Sequence, residues 1–298
     1  MARVPAQTPG LRLIPLLLVS LALALAIEGQ DRSARAASAG SDCSYLPMIG
    51  GHKPPTPTPR PTPSPAPDVC RPIPGQQYGT LSIVGDPTAR PAEQHADLNL
   101  ALRDYALAAS SATQQAANNC SAGSDDPRAP QLRGLFADDR RPTFCGVYRV
   151  WTWDWDDNRR GTSLEPGLSA CGQGAVSLAM VCVTPGEVLH VPASGYSIDD
   201  AGGYEVLVLY ASEERITLKY TREDNVIVGY TLHIEGLCVN PDLLALYRQM
   251  NAAGRRKLPA IKAGQPFARA RTNTMGLVIR DNGNWMDPRC CNDWWRTP

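Results

Sequence analysis

From Ala175 to Asp281 the chain repeats one pattern: short apolar, β-branched runs broken by Gly, Pro, Asp or Asn. The runs AVSLAMVCV, GEVLHV, YEVLVLYAS, RITLKYT, VIVGYTLHIEGLCV and GLVIRD each fit a strand, and the intervening PG, DDAGG and EDN fit turns. Upstream, TFCGVYRVWTWDWDD is rich in aromatic and β-branched residues and alternates from Trp151, which predicts a further strand. Side chains alternate along a strand, so Trp151, Trp153 and Trp155 are expected on one face.

Two segments change to helical spacing. AEQHADLNLALRDYAL sets His95, Leu98, Leu102 and Tyr105 at that spacing and predicts a helix. A second is expected from Asn240, a capping residue, with Pro241 in the first turn. Leu243, Tyr247 and Met250 share its face, and Gly254 ends it. Residues 109–130 are small, polar and rich in Gly, Asp and Pro, which predicts a loop. The expected fold is mainly β (β-rich α+β), an antiparallel sheet with an N-terminal helical segment and one inserted helix.

The start of the chain reads differently. Arg3 and Arg12 precede the apolar run Leu13 to Ile27, and Ala37-Ser38-Ala39 offers a small-residue cleavage site. The run is shorter than the roughly 20 residues a spanning helix needs, so residues 1–39 read as a secretory signal; uncleaved, it is the chain's only expected membrane attachment. HKPPTPTPRPTPSPAP, within 40–69, favours extended polyproline geometry and cannot bury a core, so this part reads as a stalk. An N-terminal α+β segment is expected over 70–160 and a β domain over 161–298.

Composition then narrows the function. Net charge is formally zero, and no basic excess points to nucleic acid. All nine cysteines lie beyond the expected cleavage site, and none forms a CxxC or a Cys/His zinc spacing. In an oxidising compartment they read as disulfides, with at least one thiol left over because nine is odd.

EPGLS (165–169), GAV (174–176), GEVLHV, GGYEVLVLY (202–210), GYTLHIEGLCV, AGQPFARA (263–270) and GLVIRDNGNWMDP (276–288) follow one another in an order that resembles the lysostaphin/LytM-type peptidoglycan endopeptidases. The resemblance covers roughly residues 161–288. It implies a LytM-like β-sheet or barrel-sandwich domain with a substrate groove and a catalytic zinc. The chain departs from the family at the metal. The positions matching the family's ligands carry Glu165, Ser169, Thr274 and Gly276, and zinc hydrolysis needs about three protein ligands around one open position. The resemblance therefore implies a degenerate site, with no cofactor and a binding rather than a hydrolytic role. His233 is the one catalytic candidate. It lies one residue late in its strand, which turns a side chain to the opposite face unless a bulge intervenes.

Other readings stay beside this one. Exposed, Trp151, Trp153 and Trp155 would form a platform for sugar rings; buried, they are core. Asp154, Asp156 and Asn158 have part of a calcium-loop spacing. His95, Asp97, His190 and His233 could form a different metal site, although the i, i+2 spacing of His95 and Asp97 points them apart on a helix. GLVIRDNGNWMDP is expected to form an edge of the groove, with a hairpin turn at Asn282-Gly283. The expected role is that of a secreted, surface-associated envelope protein binding wall peptide or glycan, or another envelope protein. The alternatives are an active zinc endopeptidase whose ligands lie elsewhere, and an unrelated disulfide-stabilised surface module.

Overall fold

A computed structural model describes residues 68–108, 128–169, 174–199 and 201–296. The signal, nearly all of the stalk, most of the 109–130 loop, and Cys43, Cys120 and Cys171 lie outside the described residues. The strands are β1 (Gly79–Ser82), β2 (Tyr105–Leu107), β3 (Phe144–Asp154), β4 (Arg159–Leu164), β5 (Leu178–Cys182), β6 (Val188–His190) and β7 (Tyr204–Ala211). They continue as β8 (Arg215–Lys219), β9 (Tyr230–Glu235), β10 (Leu237–Val239), β11 (Lys257–Lys262), β12 (Pro266–Ala270), β13 (Thr274–Asp281) and β14 (Asn284–Met286). The helices are α1 (Pro241–Ala252) and α2 (Cys291–Trp294).

The fold is mainly β. Eleven strands form one sheet in the order β1-β11-β7-β8-β9-β13-β5-β3-β2, with β14 beside β13 and β4 beside β3. That path is open and does not close into a barrel. β10, β12 and β6 form a second sheet of three. All pairings between these strands are antiparallel. The large sheet takes strands from both sides of position 160.

The registers divide the centre of the large sheet into two unlike faces. Ile216 pairs with Ile234, which pairs with Leu277; Leu218 pairs with Leu232, which pairs with Ile279. These residues enter the main core with Leu243 and Tyr247 of α1 and with Trp294 and Trp295. The opposite face carries Arg215 beside Glu235, Thr217 beside His233, and Lys219 beside Thr231 and Arg280. Strands with one apolar and one polar face commonly leave the polar face in water. Here Thr217, Lys219, Thr231, His233 and Arg280 are all buried.

The cover is the segment that the sequence predicts as a helix. Instead of one helix, the chain makes two short 3-10 turns, Ala92–Gln94 and Leu100–Leu102, and then β2. Asp104 at φ 60° sits between the second turn and β2. The hydroxyl of Thr217 donates to the Leu98 carbonyl at 2.7 Å and fastens the cover to the sheet. Leu100, Val150, Leu178, Val278 and Trp285 fill the apolar part of the layer between them. Packing against a polar floor has overridden local helical spacing.

The second helix agrees with expectation. The Asn240 side chain accepts the Asp242 N–H at 3.2 Å, Pro241 occupies the first turn, and α1 lies against β11 and β7. The hairpin at Asn282-Gly283 also forms: Asp281 pairs with Asn284, and the two loop residues take φ 46° and 82°. Positive φ at both positions is what a type I′ turn requires, and Asn-Gly meets it with least strain.

β13, however, is not a groove edge. Thr274 to Leu277 pair with β5, Gly276 to Asp281 pair with β9, and Ile279 to Asp281 pair with β14. Gly276 is buried, and a Cβ there would lie 3.5 Å from both the Glu235 Cβ and the Met180 sulfur. Gly276→Ala should therefore leave the thermal midpoint within a few degrees of wild type. Gly276→Trp should lose about 1–3 kcal/mol or more by overpacking, read as a lower denaturant midpoint. A Trp variant as stable as wild type would contradict this packing.

Candidate functional site

The polar layer opens to solvent in a cleft of about 610 Å³, lined by Asp97, Arg103, Trp155, Glu165, Arg280 and Trp285, with the Asn282-Gly283 turn also in its wall. Two arginines organise it. Arg280 rises from the polar face of β13; its Nη1 donates to Asp97 Oδ1 at 2.7 Å. Its Nε and Nη2 donate to the Gly283 carbonyl at 3.0 and 2.7 Å, which ties the turn to the sheet. Arg103 follows the second 3-10 turn. Its Nη2 donates to Asp97 Oδ1 and its Nη1 to Glu165 Oε1, both at 2.7 Å. Its Nε donates to the Ala96 carbonyl and its Nη1 also to the Trp151 carbonyl, both at 3.2 Å. Both guanidiniums lie over the Trp285 ring, Arg280 at 4.4 Å and Arg103 at 5.4 Å from its centroid.

The electrostatics follow from this arrangement. Burial pushes the Asp97 carboxyl up, but Arg280 and Arg103 together hold it below its ordinary value, so it is ionised at neutral pH. Burial lowers Arg280, with Asp97 opposing. In the same buried polar layer, burial brings Lys219 down to about 8; its ammonium donates to the Val228 carbonyl and, at 3.4 Å, to Thr231 Oγ1.

His233 lies in the same layer but does not line the cleft. Its Nδ1 is 3.1 Å from Thr217 Oγ1. The single Thr217 proton goes to Leu98, so Nδ1 carries the hydrogen and donates to Thr217, leaving Nε2 unprotonated. Nε2 is buried with no hydrogen-bond partner.

Of the residues singled out in the sequence, Asp97, Trp155, Glu165, Asn282 and Gly283 meet in this cleft. The tryptophan row does not hold together. β3 ends at Asp154, and its register shifts between Trp151 and Trp153, so Trp155 lies beyond the regular alternation. Trp153 meets Trp155 edge-on at 6.4 Å, while the Arg160 guanidinium lies 5.1 Å from the Trp151 centroid.

The four degenerate ligand positions also separate. Glu165 is in the cleft, Ser169 is exposed, Thr274 is half-buried opposite Cys182, and Gly276 is buried mid-sheet. His95 meets the Trp155 ring edge-on at 5.2 Å, Asp97 faces the arginines, and His190 belongs to the smaller sheet. Among the described residues no three His, Cys, Asp or Glu side chains are grouped to hold a metal ion. Asp154 Oδ1 instead accepts the N–H groups of Asp156 and Asp157, closing the hairpin end on itself.

No family model, curated protein or solved structure matches the chain.

Arg103, Arg280 and Trp285 are the residues that sequence reasoning passed over. A signal was present. RITLKYT and YTLHIE place polar residues at alternate positions, and Arg280 continues the row through Thr231 and Lys219.

Proposed function

We propose that this chain is an exported envelope protein whose β domain binds cell-wall material in the Trp155 cleft without hydrolysing it. The N-terminal signal, the Pro-Thr stalk and the LytM-type order of sequence pieces support export and the wall. One observation carries the binding role: the cleft's cations and carboxylates are already joined to one another. Carboxylate-based hydrolysis at neutral pH needs a group that keeps a proton to give to the leaving atom. Asp97 is held ionised, and Glu165 is ion-paired with Arg103. His233 is buried beneath the cover. What the cleft retains is a shaped rim, an exposed aromatic and a fixed turn, which suit recognition.

Co-sedimentation with purified wall sacculi tests this. The full chain should pellet with the sacculi and Trp155→Ala should pellet less, with no soluble fragments released over hours. Failure to sediment would refute wall binding. Stoichiometric zinc with chelator-sensitive release of wall peptides would instead establish the metallopeptidase alternative.

A further inference from the structure

We propose that the cleft takes an uncharged saccharide, a neutral hexose or N-acetylhexosamine ring, rather than an anionic wall polymer or a stem peptide; this rests on the wall-binding reading above. The argument is an account of donors and acceptors. An anionic polymer requires positive charge that is not already matched by a carboxylate. Every nitrogen of Arg103 already donates, Nε to Ala96, Nη1 to Trp151 and Glu165, and Nη2 to Asp97. Every nitrogen of Arg280 does too, Nη1 to Asp97 and both others to Gly283. Three N–H remain, one on Arg103 Nη2 and one on each Nη of Arg280, but the two positive charges are already matched by Asp97 and Glu165, so a phosphate or carboxylate entering here would gain no unmatched charge from the pair and would face two carboxylates.

A peptide read by strand addition requires an unpaired edge. β13 is paired along both sides. β14, which lines the cleft beside the end of β13, is three residues long, and two of them, Trp285 and Met286, are buried. That leaves too little edge for a ladder.

What the cleft has in surplus is acceptors. Asp97 and Glu165 each commit one oxygen, Oδ1 and Oε1, to the arginines. Their second oxygens, Oδ2 and Oε2, have no donor among the described residues, and the two side chains keep 15% and 17% of their surface exposed. A carboxylate oxygen fixed by an ion pair is a strong acceptor for a hydroxyl, and sugars present several hydroxyls at once. Beside them Trp155 is 41% exposed. Its ring is steadied edge-on by Trp153 and His95, and the Arg90 and Arg103 guanidiniums lie over it at 5.5 and 5.9 Å from its centroid, beyond stacking contact. An aromatic face for the sugar's C–H side and carboxylates for its hydroxyls are the two halves of neutral-sugar recognition.

Calorimetric titration of the full chain with four probes tests the inference: an N-acetylglucosamine tetramer, a glucose tetramer, polyglycerol phosphate and a free wall tetrapeptide. At least one saccharide should bind, and the two charged or peptidic probes should not. Glu165→Gln keeps an acceptor for Arg103 but replaces the free oxygen by an amide; it should weaken saccharide binding roughly tenfold without moving the thermal midpoint by more than a few degrees. Trp155→Ala should weaken it as much or more. Binding of polyglycerol phosphate or tetrapeptide that is lost in these variants, with no saccharide binding, would overturn the neutral-sugar assignment while leaving wall binding intact. Saccharide binding that both variants retain would overturn the placement in this cleft. Failure of all four probes together with failure to sediment on sacculi would refute both.

Discussion

Reducing the disulfides should lower the thermal midpoint of the protein by tens of degrees. Cys70 is bonded to Cys238 across 168 residues of sequence, and Cys145 to Cys182 across 37. Each bridge closes a loop that the unfolded chain would otherwise explore, and removing one from a secreted domain costs about 2–5 kcal/mol. Two such losses approach the whole stability of an ordinary domain, about 5–15 kcal/mol. The first bridge ties the segment ahead of β1 to β10, and the second joins the neighbouring strands β3 and β5. In the chain-entropy account the longer loop contributes more, so Cys70→Ser with Cys238→Ser should destabilise more than Cys145→Ser with Cys182→Ser. Melts with and without reductant, paired with thiol titration, check this. Cys290 and Cys291 are buried thiols, and burial raises the pKa of both, so they should react only after unfolding. An unchanged midpoint with all other thiols titratable before reduction would refute the disulfide role.

Strands and turns were legible because their signals are local. β7 to β9 and β13 follow from β-branched runs, and the Asn282-Gly283 hairpin follows from one of the few residue pairs that accept two positive φ values cheaply. α1 was legible from its cap, proline and apolar face. β1, β4 and β14 are short or polar edges and offer no such pattern.

The segment over 92–107 was misread for a physical reason. His95, Leu98 and Leu102 do have helical spacing, but Ala96, Asn99 and Arg103 are buried as well. A segment laid over a polar sheet face must satisfy that face with backbone carbonyls and a guanidinium, and regular helical bonding would withdraw the carbonyls. Leu98 gives its carbonyl to Thr217, and Ala96 gives its own to Arg103.

Half of the site was visible for a similar reason. Trp155, Asn282 and Gly283 stand out by residue type, Asp97 by its place beside His95, and Glu165 through the family resemblance. Arg103 and Arg280 become meaningful only when sheet order brings residues 97, 103, 165 and 280 together. Strand order was also what the expectation of a groove along β13 lacked. An apolar run ending in a hairpin reads the same whether its strand lies at an edge or, as here, in the middle of eleven.

The second large effect should appear on acidification, through His233. Burial foremost, then the Arg280 charge, lowers its pKa from 6.5 to about 3; Arg103 and Lys219 add to this, and Asp97 opposes it. The folded protein thus keeps His233 neutral at pH values where the unfolded chain takes up a proton. A group depressed on folding contributes stability in full above its unfolded value and loses it as pH falls toward the folded value. The loss should begin near pH 6.5 and grow by roughly 1.4 kcal/mol per pH unit, reaching about 3 kcal/mol by pH 4.5. His95, also lowered by burial, acts in the same direction. Glu205 and Glu235, raised by burial, act in the opposite direction. Comparison with His233→Leu isolates the His233 contribution. Denaturant unfolding from pH 7.5 to 4.5 should show a steeper loss for wild type than for the variant. The variant itself should be close to wild type in stability near pH 5, where deleting a proton-accepting site offsets the lost Thr217 contact. Parallel pH profiles would mean that His233 is protonated in the folded protein, with its bare Nε2 reached by water rather than sealed beneath the 96–103 cover.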